Sequence, residues 1–228
     1  MGLPTSLEAD LRFRFAPQTI VNYDSGCQAR RREEAVTSTV SEAERPLRAD
    51  ARRNRERILE SARAAFAESG ADAQIDDVAR HAGVGVGTVY RHFPTKQALL
   101  TELVRQTFRL FTGWAREALE AGGEPFALIE GLLRRIAETA AGDAGVQYAL
   151  ASSAAQAARS EAQAEQDELI AVIAELVELA RRAGTIRPGI EATDIAMLIC
   201  GVVSAMSPRP GFDWRRHLDL VTGTLRVR

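Results

Sequence analysis

The stretch IDDVARHAGVGVGTVYRHFPTK, Ile75 to Lys96, decides how this chain is read. Ile75, Val78 and Ala79 share one face of a short helix that the spacing predicts over about Ile75 to Ala82. Gly83 follows where a helix end needs a residue that tolerates positive φ. Val84 can plug the corner. A second short helix is expected from about Val86 to His92, with Val89 and Phe93 turned inward. Ala79 is small, as two helices crossing steeply over a short turn require. The plan is that of a helix-turn-helix. It leaves Val86, Gly87, Thr88, Tyr90, Arg91 and His92 facing out. A hydroxyl, a phenol, a guanidinium and an imidazole suit phosphate oxygens and base edges. Gly87 costs about 1 kcal/mol inside a helix, which a close approach to another surface would explain.

Two other readings of the stretch compete. An αα corner in any helical protein has similar local geometry. The glycines Gly83, Gly85 and Gly87 also superficially match a dinucleotide loop, but that loop follows a buried strand. Here a polar helical segment precedes it, and no β-rich run is present.

The segment RERILESARAAFAESGADAQIDDVARHA followed by GVGVGTVYRHFPTKQALL resembles the DNA-binding domain of the tetracycline-repressor (TetR) family of transcription regulators, from about Arg52 to Leu100. The Tyr90–Phe93 pair, the Phe-Pro-Thr-Lys run and the following Ala-Leu-Leu carry the likeness. Val86 departs from a position that is often polar in the family, and Gly85 and Gly87 make the helix looser than most. Direct readout then rests mainly on Thr88, Tyr90 and Arg91.

Outside this stretch the composition sets bounds. The chain has 228 residues and a formal net charge of −2, from 29 basic and 31 acidic side chains. Any nucleic-acid contact must therefore come from a local basic patch. Lys96 is the only lysine. Cys27 and Cys200 offer no disulfide framework, which suits a reducing cytosol. His81, His92 and His217 have no ligand partners at metal-binding intervals, so neither metal nor cofactor is expected. The longest apolar run, Ile195 to Met206, falls short of the ~18–20 residues that cross a bilayer. No basic segment followed by an apolar core opens the chain, and the expected location is cytoplasmic, without membrane contact.

Residues 1–46 read as a disordered extension: apolar residues are sparse and periodicity is absent. It is either a flexible arm, adding phosphate contacts from Arg30, Arg31 and Arg32, or the product of a start codon placed too far upstream. Residues 47–97 make the helix-turn-helix head. Its first helix is expected from Arg48 to Glu68, with Ile58, Ala62, Ala65 and Phe66 inward. The basic cluster Arg48, Arg52, Arg53, Arg55 and Arg57 lies near that helix's start, against the macrodipole preference. Phosphate is the obvious compensator. Pro94 ends the recognition helix and Thr95 caps the next one. Lys96 and the exposed N–H groups there form a candidate anion site.

Residues 98–228 read as helix throughout, giving an all-α fold: a three-helix head joined to a larger ligand-binding and dimerisation domain. Helices are expected from Lys96 to about Ala121, from Pro125 to about Ala140, between Val146 and Ala158, around Leu169 to Ala180, from Ile195 to Met206, and from Trp214 to Arg226. Arg159 to Gln166 is compatible with loop or helix. The Ile195–Met206 helix is apolar all round, so both faces should be buried, either in a subunit core or between subunits. The resemblance implies a homodimer through the two C-terminal helices, a pseudo-palindromic double-stranded DNA operator, and release by a small-molecule effector. Few charges fall on the inner faces, which points to an apolar or aromatic effector. Phe108, Phe111, Trp114, Phe126, Tyr148 and Met197 are candidates for its pocket, or for plain core. An all-α enzyme or a helical adaptor is the rival class. No nucleophile–base pair or metal set supports the first, and the second would leave Tyr90, Arg91 and Lys96 without a role.

Overall fold

In a computed structural model, residues 40–206 and 211–227 are described, with side chains from Asp50 onward. The expectations for residues 1–39, for the Arg48 side chain and for the break at Pro208 and Pro210 lie outside this set. The unit running from Arg48 to Arg228 holds the functional elements. Ten α-helices occur among the described residues: α1 (Val40–Ser69), α2 (Ile75–Ala82), α3 (Val86–His92), α4 (Lys96–Ala121), α5 (Pro125–Gly142), α6 (Ala144–Ala151), α7 (Gln156–Glu161), α8 (Gln163–Arg182), α9 (Ala192–Met206) and α10 (Trp214–Leu225). Short 3-10 turns follow α1 at Gly70–Asp72 and α6 at Ser153–Ala155.

Helix α1 begins at Val40, ahead of the expected Arg48. Glu42, Ala43, Glu44 and Arg45 are good helix formers, and the helix runs on through Pro46, which forgoes one bond of the ladder. Ile58, Leu59, Ala62, Ala65 and Phe66 are buried and meet Ile75, Val78, Ala79 and Ala82 of α2, Val89 of α3 and Phe93 in one hydrophobic cluster.

Helix α4 is continuous over 26 residues. It packs along α7 and α8, which lie beside it after the chain has passed through α5 and α6. Buried Thr107 and Thr112 return their hydroxyl protons to Leu103 and Phe108 carbonyls, each at 2.9 Å, so neither leaves a polar group unmet. Three carboxylates of α7 and α8 meet donors on α4: Thr101 donates to Glu161 at 2.8 Å, Arg109 to Glu165 at 2.7 Å and Arg116 to Glu168 at 2.6 Å. Thr101 is buried and Glu165 largely so, while the Arg116–Glu168 pair is exposed and aligns the helices more than it stabilises them.

Helix starts are capped by side chains that the sequence supplies. Glu124, just before Pro125, accepts from Phe126 N at 3.1 Å and Ala127 N at 2.7 Å. Partial burial would raise the Glu124 carboxyl, but those backbone N–H groups, with Arg226 and Thr185, outweigh it and hold the group below the usual carboxylate range. Asp143 caps α6 through Gly145 N at 2.9 Å and Val146 N at 3.0 Å.

The segment expected as one helix from Val146 to Ala158 is broken. Ser152 stops α6, and its hydroxyl accepts from Ala154 N at 3.1 Å, a local bond that competes with the helical ladder. Arg159 to Gln166 is helix on both sides of a junction at Ala162. Helix α9 differs too from its expectation. Within one chain only Ala192, Ile195, Ile199, Val202 and Val203 are buried, while Met197 is 72% exposed and Gly201 and Ser204 face solvent. A feature absent from the sequence reading ties the end of the chain down: an isolated antiparallel bridge pairs Ile186 with Arg226, with Arg187 N donating to Leu225 O at 2.8 Å. Among the described residues no helix is long and apolar enough to cross a membrane.

Candidate nucleic-acid interface and ligand cavity

Helices α2 and α3 meet across Gly83, whose φ of 62° is the left-handed conformation that an L side chain resists. The Gly83 and Val84 N–H groups close the α2 end, Val84 N reaching Ala79 O at 3.0 Å. Arg57 of α1 donates to the Ala82 carbonyl, placing a cation against the negative end of α2. Val84 is half-buried against the core, as a corner plug should be.

Helix α3 turns Val89 inward at 0% exposure and presents Val86 at 37% and Tyr90 at 48%. Gly87 and Arg91 are also exposed, while Thr88 and His92 are half-buried. A Cβ added to Gly87 would meet nothing within 4 Å, so among the described residues no contact demands glycine there. The outward surface is therefore a short strip of apolar, aromatic and cationic groups around a bare backbone patch.

Because α1 begins at Val40, the basic cluster lies about three turns inside it and the macrodipole argument for a phosphate there lapses; the cluster divides in two. Arg52 and Arg53 are exposed; Arg52 lies 3.8 Å from Glu56, and Arg53 is bonded to Asp50. Arg55, half-buried, and Arg57, still exposed, are instead engaged with the protein. Arg55 pairs with Glu102 of α4 at 3.1 Å and stacks 5.2 Å from the centre of the Phe93 ring. Arg57 holds α2, as above. The expectation of five phosphate-facing arginines is thus corrected for these two, because the head uses them to fix its own helices. Thr95 is exposed and accepts from Ala98 N at 2.9 Å. Lys96 donates to the Ala71 carbonyl in the turn after α1, and its ammonium lies 5.8 Å from the Phe66 ring centre. The sole lysine thus also ties α4 to α1.

The body contains a cavity of about 320 Å³ walled by α4, α5, α6, α8 and α9, with Arg159 of α7 at its edge. Phe108, Phe111 and Met197 line it, as do Leu133, Ile136, Leu169, Ile173, Ile195 and Cys200. Trp114, Phe126 and Tyr148 do not. Phe126 is fully buried under α5, and Arg226 stacks 5.3 Å from its ring centre. Trp114 lies against Arg135 in a surface groove. Tyr148 stacks on Phe66 of α1 at 5.5 Å with rings 12° apart. It lines a second cleft, about 270 Å³, that shares Ala151 and Ser204 with the main cavity. Sequence reasoning missed Arg159, because nothing local marks an arginine whose surroundings come from five other helices. Its Nη1 donates to Ala149 O and Ser152 O, both at 3.0 Å. Burial pushes the Cys200 thiol up, against the opposing charge of Arg159.

Helix α6 joins α4 as a cavity wall that also touches the head closely. A Cβ on Gly145 would fall 2.3 Å from Cγ and 2.9 Å from the carbonyl oxygen of Arg63 in α1. Leu150 and Ala151, at the other end of α6, reach the cavity. One rigid turn-and-a-half of helix therefore spans from the cavity to the head.

Comparison with known proteins agrees with this layout. The model for bacterial regulatory proteins of the tetR family matches residues 58–103, and the model for the transcriptional regulator SbtR-like C-terminal domain matches residues 124–227. A TetR transcription regulatory protein from Mycobacterium vanbaalenii is 36% identical, with 80% of this chain and 100% of that one covered and a TM-score of 0.58. A curated HTH-type transcriptional regulator of Staphylococcus aureus is 36% identical over 66 residues, 28% of this chain; the match spans only 36% of that relative's length. The Bacillus subtilis regulator FadR, solved in complex with stearoyl-CoA, shares the fold at 19% identity, with 74% of this chain and 95% of that one covered and a TM-score of 0.62.

Proposed function

The chain belongs to the TetR family of bacterial transcriptional regulators, and from that premise we propose that it is a ligand-released repressor acting as a homodimer on a pseudo-palindromic operator. Its α3 enters the major groove, with Thr88, Tyr90 and Arg91 toward base edges and the bare backbone at Gly87 against the sugar-phosphate. Arg52, Arg53, Thr95 and the first N–H groups of α4 hold phosphates, and with them His92 and Lys96 complete the contact surface. The observation that carries this reading is the exposed Val86–Arg91 strip on a corner fixed by Gly83 and Arg57.

The homodimer is proposed to form through α9 and α10. Met197, Gly201 and Ser204 on one helix and Leu220, at 57% exposure, on the other give an unpartnered surface of apolar and small residues. The effector occupies the α4–α9 cavity, whose walls are mainly apolar. The stearoyl-CoA bound by the fold relative FadR is a precedent for an acyl ligand in this architecture. Occupancy would move α6, and α6 would move α1 through Gly145 and Tyr148. Such coupling requires the ligand to prefer one head spacing over the other.

The test is fluorescence anisotropy of the full chain against DNA from immediately upstream of its own gene, across a salt series. Tight, competitor-resistant binding with a steep salt slope is expected. A shallow slope with affinity equal to that for random DNA at every candidate operator would favour an adaptor or enzyme instead.

A further inference from the structure

The cavity wall is mainly apolar, with Gln166, Ser204 and Arg159 as its polar side chains. Phe108, Phe111, Leu133, Ile173 and Ile195 supply hydrocarbon, and Arg159 is the one charged side chain among the lining residues. Among the described residues, Arg159 takes part in no ion pair. Two of its five N–H groups are used: Nη1 donates to the carbonyls of Ala149 and Ser152. Those bonds fix the plane of the guanidinium at the end of α6. Nε and Nη2 donate to no described protein group. Arg159 is half-buried, so its spare donors stay open to the cavity and to solvent, where an anion can displace water from them. Cys200 lines the same space, where burial raises its thiol against the charge of Arg159.

We infer that the cavity takes a small molecule with an apolar body and a single anionic head, a carboxylate by preference, seated on Arg159. The inference rests on the reading of this cavity as the effector site. The volume of about 320 Å³ is near the lower end of the roughly 300–1,000 Å³ range of small-molecule sites, so the body is of modest length. The carboxylate would take the Nε and Nη2 donors side by side, a bidentate geometry that Arg offers and Lys does not. The tail would lie between Phe108 and Ile195.

The test uses decanoate and decanol as probes, titrated calorimetrically into the full chain. Decanoate is expected to bind about tenfold or more tightly than decanol, the scale of a hydrogen bond to a charged partner. Arg159→Gln keeps a polar amide but lacks the charge and the reach; it should bring the two probes to near-equal affinity. Arg159→Lys should keep part of the preference. Equal affinities in the unaltered protein, a preference that survives Arg159→Gln, or no binding of either probe would overturn the proposal. A second readout holds even where Arg159→Gln folds poorly: in a Cys27→Ser background, saturating decanoate should slow alkylation of Cys200 severalfold. An unchanged rate puts the probe elsewhere and overturns the assignment. Adding decanoate to the protein–DNA complex separates the two readings. Arg159-dependent binding without DNA release would keep the anion site and refute its role as the effector site.

Discussion

Replacing Gly145 by alanine should loosen the joint between body and head. The added methyl would sit 2.9 Å from the Arg63 carbonyl oxygen, about half an ångström inside ordinary contact, and 2.3 Å from the Arg63 Cγ. The Arg63 side chain can swing away, giving up its 3.7 Å approach to Asp143, an exposed pair worth little. The carbonyl belongs to the middle of α1 and cannot swing, so α6 must back off. Overpacking of this kind costs roughly 1–3 kcal/mol. Alanine recovers up to about 1 kcal/mol of helix propensity, less in a first turn. The net is a loss of roughly 0.5–2.5 kcal/mol, which for a domain of this size lowers Tm by roughly 1–10 °C. Thermal unfolding followed by circular dichroism reads the loss, and operator titration reads its effect on the heads. Weaker DNA binding with dimerisation intact is expected. An unchanged Tm together with unchanged DNA affinity would refute the close α1–α6 contact and the coupling built on it.

Gly87→Ala should stabilise the free protein by up to about 1 kcal/mol, since nothing among the described residues opposes the methyl, while weakening DNA binding; a variant that binds equally well removes the proposed backbone approach. Tyr90→Ala should cost DNA affinity severalfold with helicity and dimerisation unchanged, because the ring is 48% exposed; loss of ellipticity would count against a surface role. Glu124→Ala should destabilise the fold by about 1 kcal/mol at neutral pH, the usual value of a helix cap. Its folded carboxyl is held low, so the wild-type advantage should be complete above the unfolded value of about 4.3 and vanish as pH falls through the lower folded one. Parallel melts of both proteins from pH 7 to 3 would show the gap closing, and a gap constant with pH would exclude the charged cap.

Where a feature depends on neighbours in sequence, it was legible. The corner at Gly83, the Thr95 cap and the long apolar stripe of α4 follow from spacing alone, and each lies where it was expected. Partners far apart in sequence were not. Nothing around Arg55 or Arg57 distinguishes them from Arg52 and Arg53 until α4 and the end of α2 are folded against them. The same limit separated Phe108 and Phe111 from Trp114: all three repeat at helical spacing, and only the packing of α8 and α9 decides which face holds the cavity. The break after α6 was hidden in an Ala-rich run, where Ser152 was its one local sign.

The tie from Lys96 to Ala71 has a practical consequence. With one lysine in 228 residues, a lysine-specific protease has a single place to cut, after residue 96. That bond lies in the first turn of α4 beside a half-buried side chain held to α1. Cleavage of the native protein therefore needs the α1–α4 junction to open, and the yield of two fragments measures how often it does. The chain carries its own gauge for head release, readable on a gel without label or probe, in the presence or absence of DNA.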